Sequence, residues 1–169
     1  AANEAAVLAT LDPGAYTAVV SGVGAPGTET GIGIVEVFDI DPLNGALVNL
    51  STRGRVNTGN DVMIAGFVIA GTQPQTVVIR ARGPSLTAAG VAGALGDPQM
   101  QVFSGSTQIA YNDNWGDSAD ALAVSAAGLS PSDARESALR LTLQPGAYTV
   151  IVTGKNLGTG VAIVEVFAQ

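Results

Sequence analysis

The sequence contains no histidine and no cysteine among its 169 residues. The lack of histidine excludes a Ser-His-Asp triad, a histidine general base and a histidine-ligated zinc. The lack of cysteine excludes a thiol nucleophile, disulfides and thiolate metal sites. Charged residues make up only 12% of the chain, about half of the usual share in a soluble domain. This inventory suits a scaffold or binding module better than an enzyme, and we predict that the protein is not an enzyme.

Positive charge is also scarce, because seven Lys and Arg residues oppose fourteen Asp and Glu residues, for a net charge of −7. We therefore predict no nucleic-acid partner, since the chain has no basic cluster to neutralise phosphates. The longest uncharged run, 62–79, is interrupted by the polar segment 72–76, so no membrane span is predicted. The chain begins without Met and without a signal-peptide pattern, and we expect a processed or excised piece.

The sequence contains an internal repeat. Residues 4–22 return as 136–154, and residues 31–38 return as 160–167. The two copies share 17 identities over 27 aligned positions, and the loop between the two blocks is three residues shorter in the second copy. Chance does not produce such agreement, so the chain carries the last third of one repeat and then a complete repeat.

This repeat divides the chain into three parts. Residues 1–40 form a partial repeat that holds the last three strands of a repeat unit. Residues 41–46 form the junction, since Asp41-Pro42 and Asn44-Gly45 are turn-forming pairs. Residues 47–169 form the complete repeat.

Alternating apolar and polar residues, bounded by turn residues, predict eight strands in the complete repeat. A short helix is predicted over 118–127, with Asp117 or Ser118 as its N-cap and Gly128 just beyond its end. The predicted fold class is all-β: an antiparallel β-sandwich or jelly roll of about eight strands with one short helix, preceded by the three-strand partial repeat. The predicted strands are 47–51, 62–70, 76–82, 99–103, 107–111, 137–143, 147–153 and 161–167.

Several segments resemble a repeat domain of large secreted bacterial surface proteins, namely 50–54, 62–68, 78–86, 112–117 and 145–149. This resemblance covers nearly the whole chain. The C-terminal half, with its Pro-Gly-Ala-Tyr turn, is also similar to pre-peptidase C-terminal (PPC-like) β-sandwich domains. Both resemblances imply an extracellular, non-catalytic accessory or array module at a bacterial cell surface, and neither carries catalytic residues to transfer.

The partial repeat presents an apolar face without the other five strands of a repeat. At roughly 1.5–3 kcal/mol for each large side chain that is fully buried, covering this face gains on the order of 10 kcal/mol. The cover is the upstream part of the same polypeptide, the chain's own complete repeat, or another subunit. Head-to-tail complementation between subunits builds an open filament. The residues assigned to this assembly interface are Val7, Ala9, Leu11, Tyr16, Ala18, Val20, Ile34 and Phe38.

The densest group of oxygen ligands lies between the fifth predicted strand and the helix. Calcium takes six to eight oxygens from a flexible loop, and this loop is the one candidate for a metal cofactor. The preferred interpretation is a polar loop of local turn bonds in which Asp117 caps the helix, and the prediction is then that the protein has no cofactor. Trp115 either stacks on a sugar or packs onto the sandwich, and packing is the preferred interpretation. The candidate calcium ligands are Asn112, Asp113, Asn114, Asp117 and Asp120.

Two arginines and two glutamates suggest a structural ion pair. Arg80 and Arg82 lie two residues apart in a strand and share one face. Glu36 and Glu165 occupy equivalent positions in the two copies, each between two valines. A mid-strand carboxylate is costly to bury alone, so we predict that arginine pairs with it and holds one sheet to the other. An anion or acidic-sugar site is the alternative.

These observations predict a structural extracellular protein that self-assembles by strand complementation between repeats or subunits into a filament or fibre. The predicted partner is another copy of the chain (a homopolymer) or an adjacent repeat of the same polypeptide. The competing hypothesis is a binding module, either a calcium-stiffened adhesin or a carbohydrate-binding accessory domain of a larger secreted protein.

Overall fold

The computed structural model describes residues 4–40 and 46–169. Its internal contacts divide the chain into two compact units, Ala1–Leu47 and Val48–Gln169. The predicted junction lies outside the described residues except for Ala46.

The second unit is an all-β sandwich of eight strands, as predicted. Two short helices accompany the strands: α1 (Pro84–Ala88) follows β3, and α2 (Ala121–Ala126) follows β5. No helix in the described ranges is long and apolar enough to cross a bilayer. The strands are β1 (Asn49–Val56), β2 (Met63–Ile69), β3 (Gln75–Arg82), β4 (Pro98–Ser104), β5 (Thr107–Asn112), β6 (Ser137–Leu143), β7 (Gly146–Gly154) and β8 (Gly160–Ala168).

The eight strands form two four-stranded antiparallel sheets. The first sheet has the order β1-β8-β3-β6, and the second has the order β2-β7-β4-β5. Strand β8 therefore lies between β1 and β3, strand β7 lies between β2 and β4, and β6 pairs with β3 alone. The last three strands of the repeat never pair with one another, and each depends on strands from the first two thirds of the unit.

The core lies between the sheets and is built by alternation along the strands. In β6, Leu139 and Leu143 are buried in this core, whereas Thr142 on the opposite face is exposed. In β7, Val150 and Val152 are fully buried. Burial of branched side chains on both inner faces supplies most of the stabilisation of such a sandwich.

A second, smaller apolar cluster covers the outer face of the first sheet. Val78, Val124 and Ala138 are fully buried there, and Trp115 packs against them. Strand β3 is thus buried on both faces, as its run of apolar residues indicates. Trp115 takes the packing role preferred from the sequence.

The predicted helix is shorter than expected and its predicted N-cap is wrong. The segment from Trp115 to Asp117 forms a separate 3₁₀ turn, in which the Asp117 amide donates to the Asn114 carbonyl at 3.0 Å. Helix α2 then begins after Asp120, which takes the N-cap position without a side-chain capping bond. Gly128 lies beyond the helix end with a φ of 71°, as expected for a glycine in that place.

The first unit has a different character. Residues 4–40 contain neither a helix nor a strand in the structure, and every one of them except Glu29 is exposed. The three strands expected in this segment are therefore not formed here. The sheet order gives the physical reason, because the counterparts of these strands pair only with β1–β5. The assignment of 1–40 as a partial repeat stays a prediction.

Candidate functional site

The partial repeat keeps one local structure of the complete repeat. Tyr148 at the start of β7 donates its hydroxyl to the Gln144 carbonyl at 2.8 Å. Its counterpart Tyr16 donates to the Asp12 carbonyl at 2.7 Å. Both bonds span four residues around a Pro-Gly pair, which is the arrangement of a tyrosine corner. The turn that leads into the second strand is thus formed in 4–40 even where the strands are not.

Six of the eight proposed interface residues match residues of the sandwich core or residues packed against it. Val7, Ala9 and Leu11 match Leu139, Leu141 and Leu143 of β6, which belong to the core or pack against it.

The second predicted strand of the partial repeat also matches residues of the sandwich core. Tyr16, Ala18 and Val20 match Tyr148, Val150 and Val152 of β7, all buried. Val7 is 91% exposed and Val20 is 65% exposed in the first unit, so the side chains that the complete repeat buries lie open in the partial one.

Two of the proposed interface residues correspond to residues on the outer face of the first sheet and not to residues of the core. Ile34 and Phe38 match Ile163 and Phe167, which point outward from β8 and away from the core between the sheets. The core positions of that strand are Val164 and Val166, whose counterparts Val35 and Val37 are not among the predicted interface residues. Alternation across Glu165 gives the correct face, since the glutamate and the core residues must point in opposite directions.

The carboxylate of Glu165 lies between two guanidinium groups. Arg80 Nε donates to Glu165 Oε2 at 2.9 Å, and Arg82 Nε donates to the same oxygen at 2.8 Å. Arg82 Nη2 also donates to Oε1 at 3.3 Å. Glu165 is 8% exposed, so its charge sits in a largely desolvated place where charge-assisted bonds are strong.

This ion pair connects neighbouring strands of one sheet and does not hold one sheet to the other, which corrects the sequence interpretation. Arg80 in β3 stands directly opposite Glu165 in β8, on the outer face of the first sheet. Arg80 also donates from Nη1 to the Leu129 carbonyl at 2.9 Å and lies 4.7 Å from the centre of the Phe167 ring. The arginine therefore fastens β8, β3 and the segment after α2 together.

A second buried glutamate was not assigned a role from the sequence. Glu136 precedes β6 and is fully buried. Its Oε1 accepts hydrogen bonds from the backbone amides of Gly83 and Ser85, each at 2.9 Å, and from the Ser85 hydroxyl at 2.7 Å. Gly83 is required here, because a Cβ would lie 2.2 Å from the Leu95 carbonyl oxygen. The signal was available in the sequence, since Glu4 is the first identity of the repeat.

The structure gives the candidate calcium ligands other contacts. Asn112 is buried, accepts from the Ala138 amide at 2.9 Å and donates to the Asn114 carbonyl at 3.0 Å. Asn114 donates from Nδ2 to Asp117 at 3.1 Å. Within the described ranges, Asp113, Asp117 and Asp120 do not form an acidic group able to hold a metal ion. Calcium binding by this loop stays a prediction.

Asp113 binds the only lysine of the chain. Lys155 Nζ donates to Asp113 Oδ2 and lies 4.0 Å from Asp97 Oδ2. The hydrogen bond to Asp113 raises the pKa of Lys155 above its ordinary value of 10.5. The lysine is therefore a protonated partner that ties the turn after β7 to the loop after β5.

A shallow cleft of about 360 Å³ lies beside Trp115. Asn114, Asp117 and Arg135 contribute polar groups to its wall. The cleft thus places an aromatic ring among hydrogen-bonding side chains, a combination found in small-molecule sites.

The sequence matches no protein-family model and no curated protein. Among solved structures, the chain is similar to the pre-peptidase C-terminal domain of a collagenase from Bacillus anthracis. The identity is 12%, the TM-score is 0.44, and the match covers 70% of this chain and 89% of that domain.

Proposed function

We propose that the protein is a structural component of a bacterial extracellular fibre, in which residues 1–40 complete a β1–β5 unit of another repeat or subunit. The supporting observation is the exposure of 4–40 together with the burial of its copy in β6–β8. A segment that complements another unit in this way joins units end to end, and a non-closing series of such contacts is a filament.

The strand pairing in the complete repeat indicates what residues 1–40 need as a partner. We call a β1–β5 unit the acceptor, and we call a segment equivalent to β6–β8 a donor. Six strand ladders build the sandwich, and all except β4–β5 include β6, β7 or β8. A β1–β5 unit without these strands is therefore as incomplete as the partial repeat, and each supplies what the other lacks. The chain holds two donor copies and one acceptor, so residues 1–40 require an acceptor whose own last three strands are absent or displaced.

The two donors differ in the size of the side chains that enter the core. The partial repeat has Ala9 where β6 has Leu141, and Ala18 where β7 has the fully buried Val150. Each smaller side chain leaves a void in an acceptor shaped for the larger one, at about 2 kcal/mol or more for each site. The chain's own β6–β8 is thus the stronger donor for its own acceptor, and residues 1–40 stay available to another unit.

The substitution Val150→Asp tests this proposal, because a buried carboxylate disables the chain's own β7 and leaves one donor for one acceptor. We expect the variant to form regular filaments in negative-stain electron microscopy and to sediment as large species. The matched control is Ala18→Asp with Val150→Asp, in which both donors are disabled and no filament is expected.

Two outcomes would contradict the proposal. Filaments formed equally by the double variant would show that assembly does not use the partial repeat. A folded, monomeric Val150→Asp chain would show that residues 1–40 cover the chain's own acceptor and build no fibre.

A carbohydrate-binding module is the second candidate, and the Trp115 cleft favours it. If the cleft binds sugars, the chain is retained on a polysaccharide column, and Trp115→Ala reduces this retention while Arg140→Ala, on β6, does not. Equal elution of all three chains in the void volume would remove this candidate.

A further inference from the structure

We propose that Glu36 and Glu4 are the polar recognition residues of the partial repeat, and that its partner is a β1–β5 unit carrying an Arg-x-Arg-Gly-Pro-Ser segment equivalent to Arg80–Ser85. This inference rests on the proposed complementation and adds which acceptor the segment selects. The two glutamates are identical in both copies and fall at the two positions where the complete repeat buries a carboxylate.

Glu36 matches Glu165, whose carboxylate receives hydrogen bonds from two arginines of β3 at 2.8–3.3 Å. Val35 and Val37 flank Glu36 and match the core residues Val164 and Val166. Docking these valines into a sandwich core necessarily places the glutamate on the outer face beside β3. A carboxylate taken out of water there is costly unless guanidinium groups meet it.

Glu4 matches Glu136, which is fully buried and binds the backbone of Gly83 and Ser85 together with the Ser85 hydroxyl. This second contact lies just after β3, at positions three and five residues beyond Arg80. Together the two glutamates fix the register of the first and third donor strands, the counterparts of β6 and β8, against β3. A one-residue slip would turn each carboxylate toward the core, so the wrong register is excluded by charge.

An engineered disulfide reports the predicted register directly, because the chain has no cysteine of its own. Thr76 and Thr142 are cross-strand partners whose Oγ1 atoms lie 2.9 Å apart, and Thr10 is the counterpart of Thr142. The test uses the full chain with Thr10→Cys, Thr76→Cys and Val150→Asp. Complementation in the proposed register brings the two sulfurs within bonding distance and yields a disulfide under mild oxidation.

The recognition residues are then tested in that background. We expect Glu36→Gln to lower the rate of disulfide formation roughly tenfold, since a charge-assisted bond is lost. The matched control Glu165→Gln leaves the rate unchanged, because the disabled C-terminal copy no longer occupies the acceptor. In the chain with an intact Val150, β6–β8 occupies the acceptor. There Glu165→Gln is expected to lower the melting temperature, and Glu36→Gln is expected to leave it unchanged.

The outcomes separate this inference from the proposed function. A disulfide that forms equally fast with Glu36→Gln would overturn the recognition role and leave complementation standing. A chain that stays unfolded and forms no disulfide, although its N-terminal copy is intact, would overturn both. A disulfide within one chain that Glu36→Gln slows supports recognition while contradicting fibre formation, whereas a disulfide between chains that Glu36→Gln slows supports both.

Discussion

Tyr16 and Tyr148 close the same turn in two different settings, each donating its hydroxyl to the carbonyl four residues upstream. Tyr148 does so beside a packed sheet and is buried, whereas Tyr16 does so in a segment without strands and is 58% exposed. The corner is therefore encoded locally. The strands that follow it are not, because they require partners from β1–β5.

The tyrosine corner gives a first prediction. Tyr148→Phe removes a hydrogen bond from a buried hydroxyl and leaves the Gln144 carbonyl without its donor, so we expect the free energy of unfolding to fall by about 1 kcal/mol. Tyr16→Phe is expected to leave it unchanged in the unassembled chain. Urea denaturation of the two variants checks this, and an equal loss for both would show that Tyr16 is already packed in the folded chain.

The ion pair on the outer face gives a second prediction. Glu165→Gln leaves Arg80 and Arg82 without their shared carboxylate, and we expect a loss of about 2–3 kcal/mol in stability. The control Arg140→Gln, on an edge strand, is expected to change stability by less than about 0.5 kcal/mol. Equilibrium unfolding in urea compares them, and a Glu165→Gln chain as stable as the control would remove the ion pair from the account.

The smaller core residues of the partial repeat give a third prediction. Val150→Ala installs in β7 the residue found at Ala18, and the cavity left is expected to cost about 2 kcal/mol. The opposite change, Ala18→Val in the Val150→Asp chain, is expected to strengthen the N-terminal donor and raise the melting temperature. Calorimetry measures both, and a destabilising Ala18→Val would mean that this residue does not enter the acceptor core.

The Lys155–Asp113 pair gives a prediction about pH. The pKa of Lys155 is raised in the folded protein by its hydrogen bond to Asp113. The pair therefore stabilises the fold fully below the unfolded pKa of lysine, and its contribution disappears as the pH rises through the folded pKa. Lys155→Met should be less stable than the parent at neutral pH, and the difference should vanish in strongly alkaline solution. A difference that grows with pH would have the wrong sign.

The positions of the strands in the complete repeat were predictable because alternation and turn residues mark them locally, although their formation depends on partner strands. Alternation and turn residues place β6 at Ser137–Leu143 without error and β3 within one residue. Strand β1 extends to Val56, beyond its predicted end at 51. Its second half was not predicted because it carries Arg53 and Arg55, whose polar side chains reach water from an edge strand. Helix α1 was not predicted, since a segment of five residues that begins with Pro84 is too short to show a helical period.

The sheet order and the polar contacts were only partly predictable. The Glu165 pairing follows from the cost of burying a carboxylate, but its place within one sheet depends on β8 lying beside β3, which is a long-range fact. The identity of Glu4 and Glu136 marks this position in the sequence but does not reveal its partners, because the backbone amides of Gly83 and Ser85 carry no charge. Side-chain patterns do not reveal a site whose hydrogen-bond donors are backbone amides.

We propose above all that residues 1–40 are a second copy of β6–β8 that forms strands only on a β1–β5 unit. Hydrogen–deuterium exchange of the full chain measures this directly, with Val150→Asp compared with the parent. We expect the amides of 16–20 and 32–38 to exchange rapidly in the parent and to become strongly protected in the variant. Exchange in the variant at the rate of an unstructured peptide would contradict it.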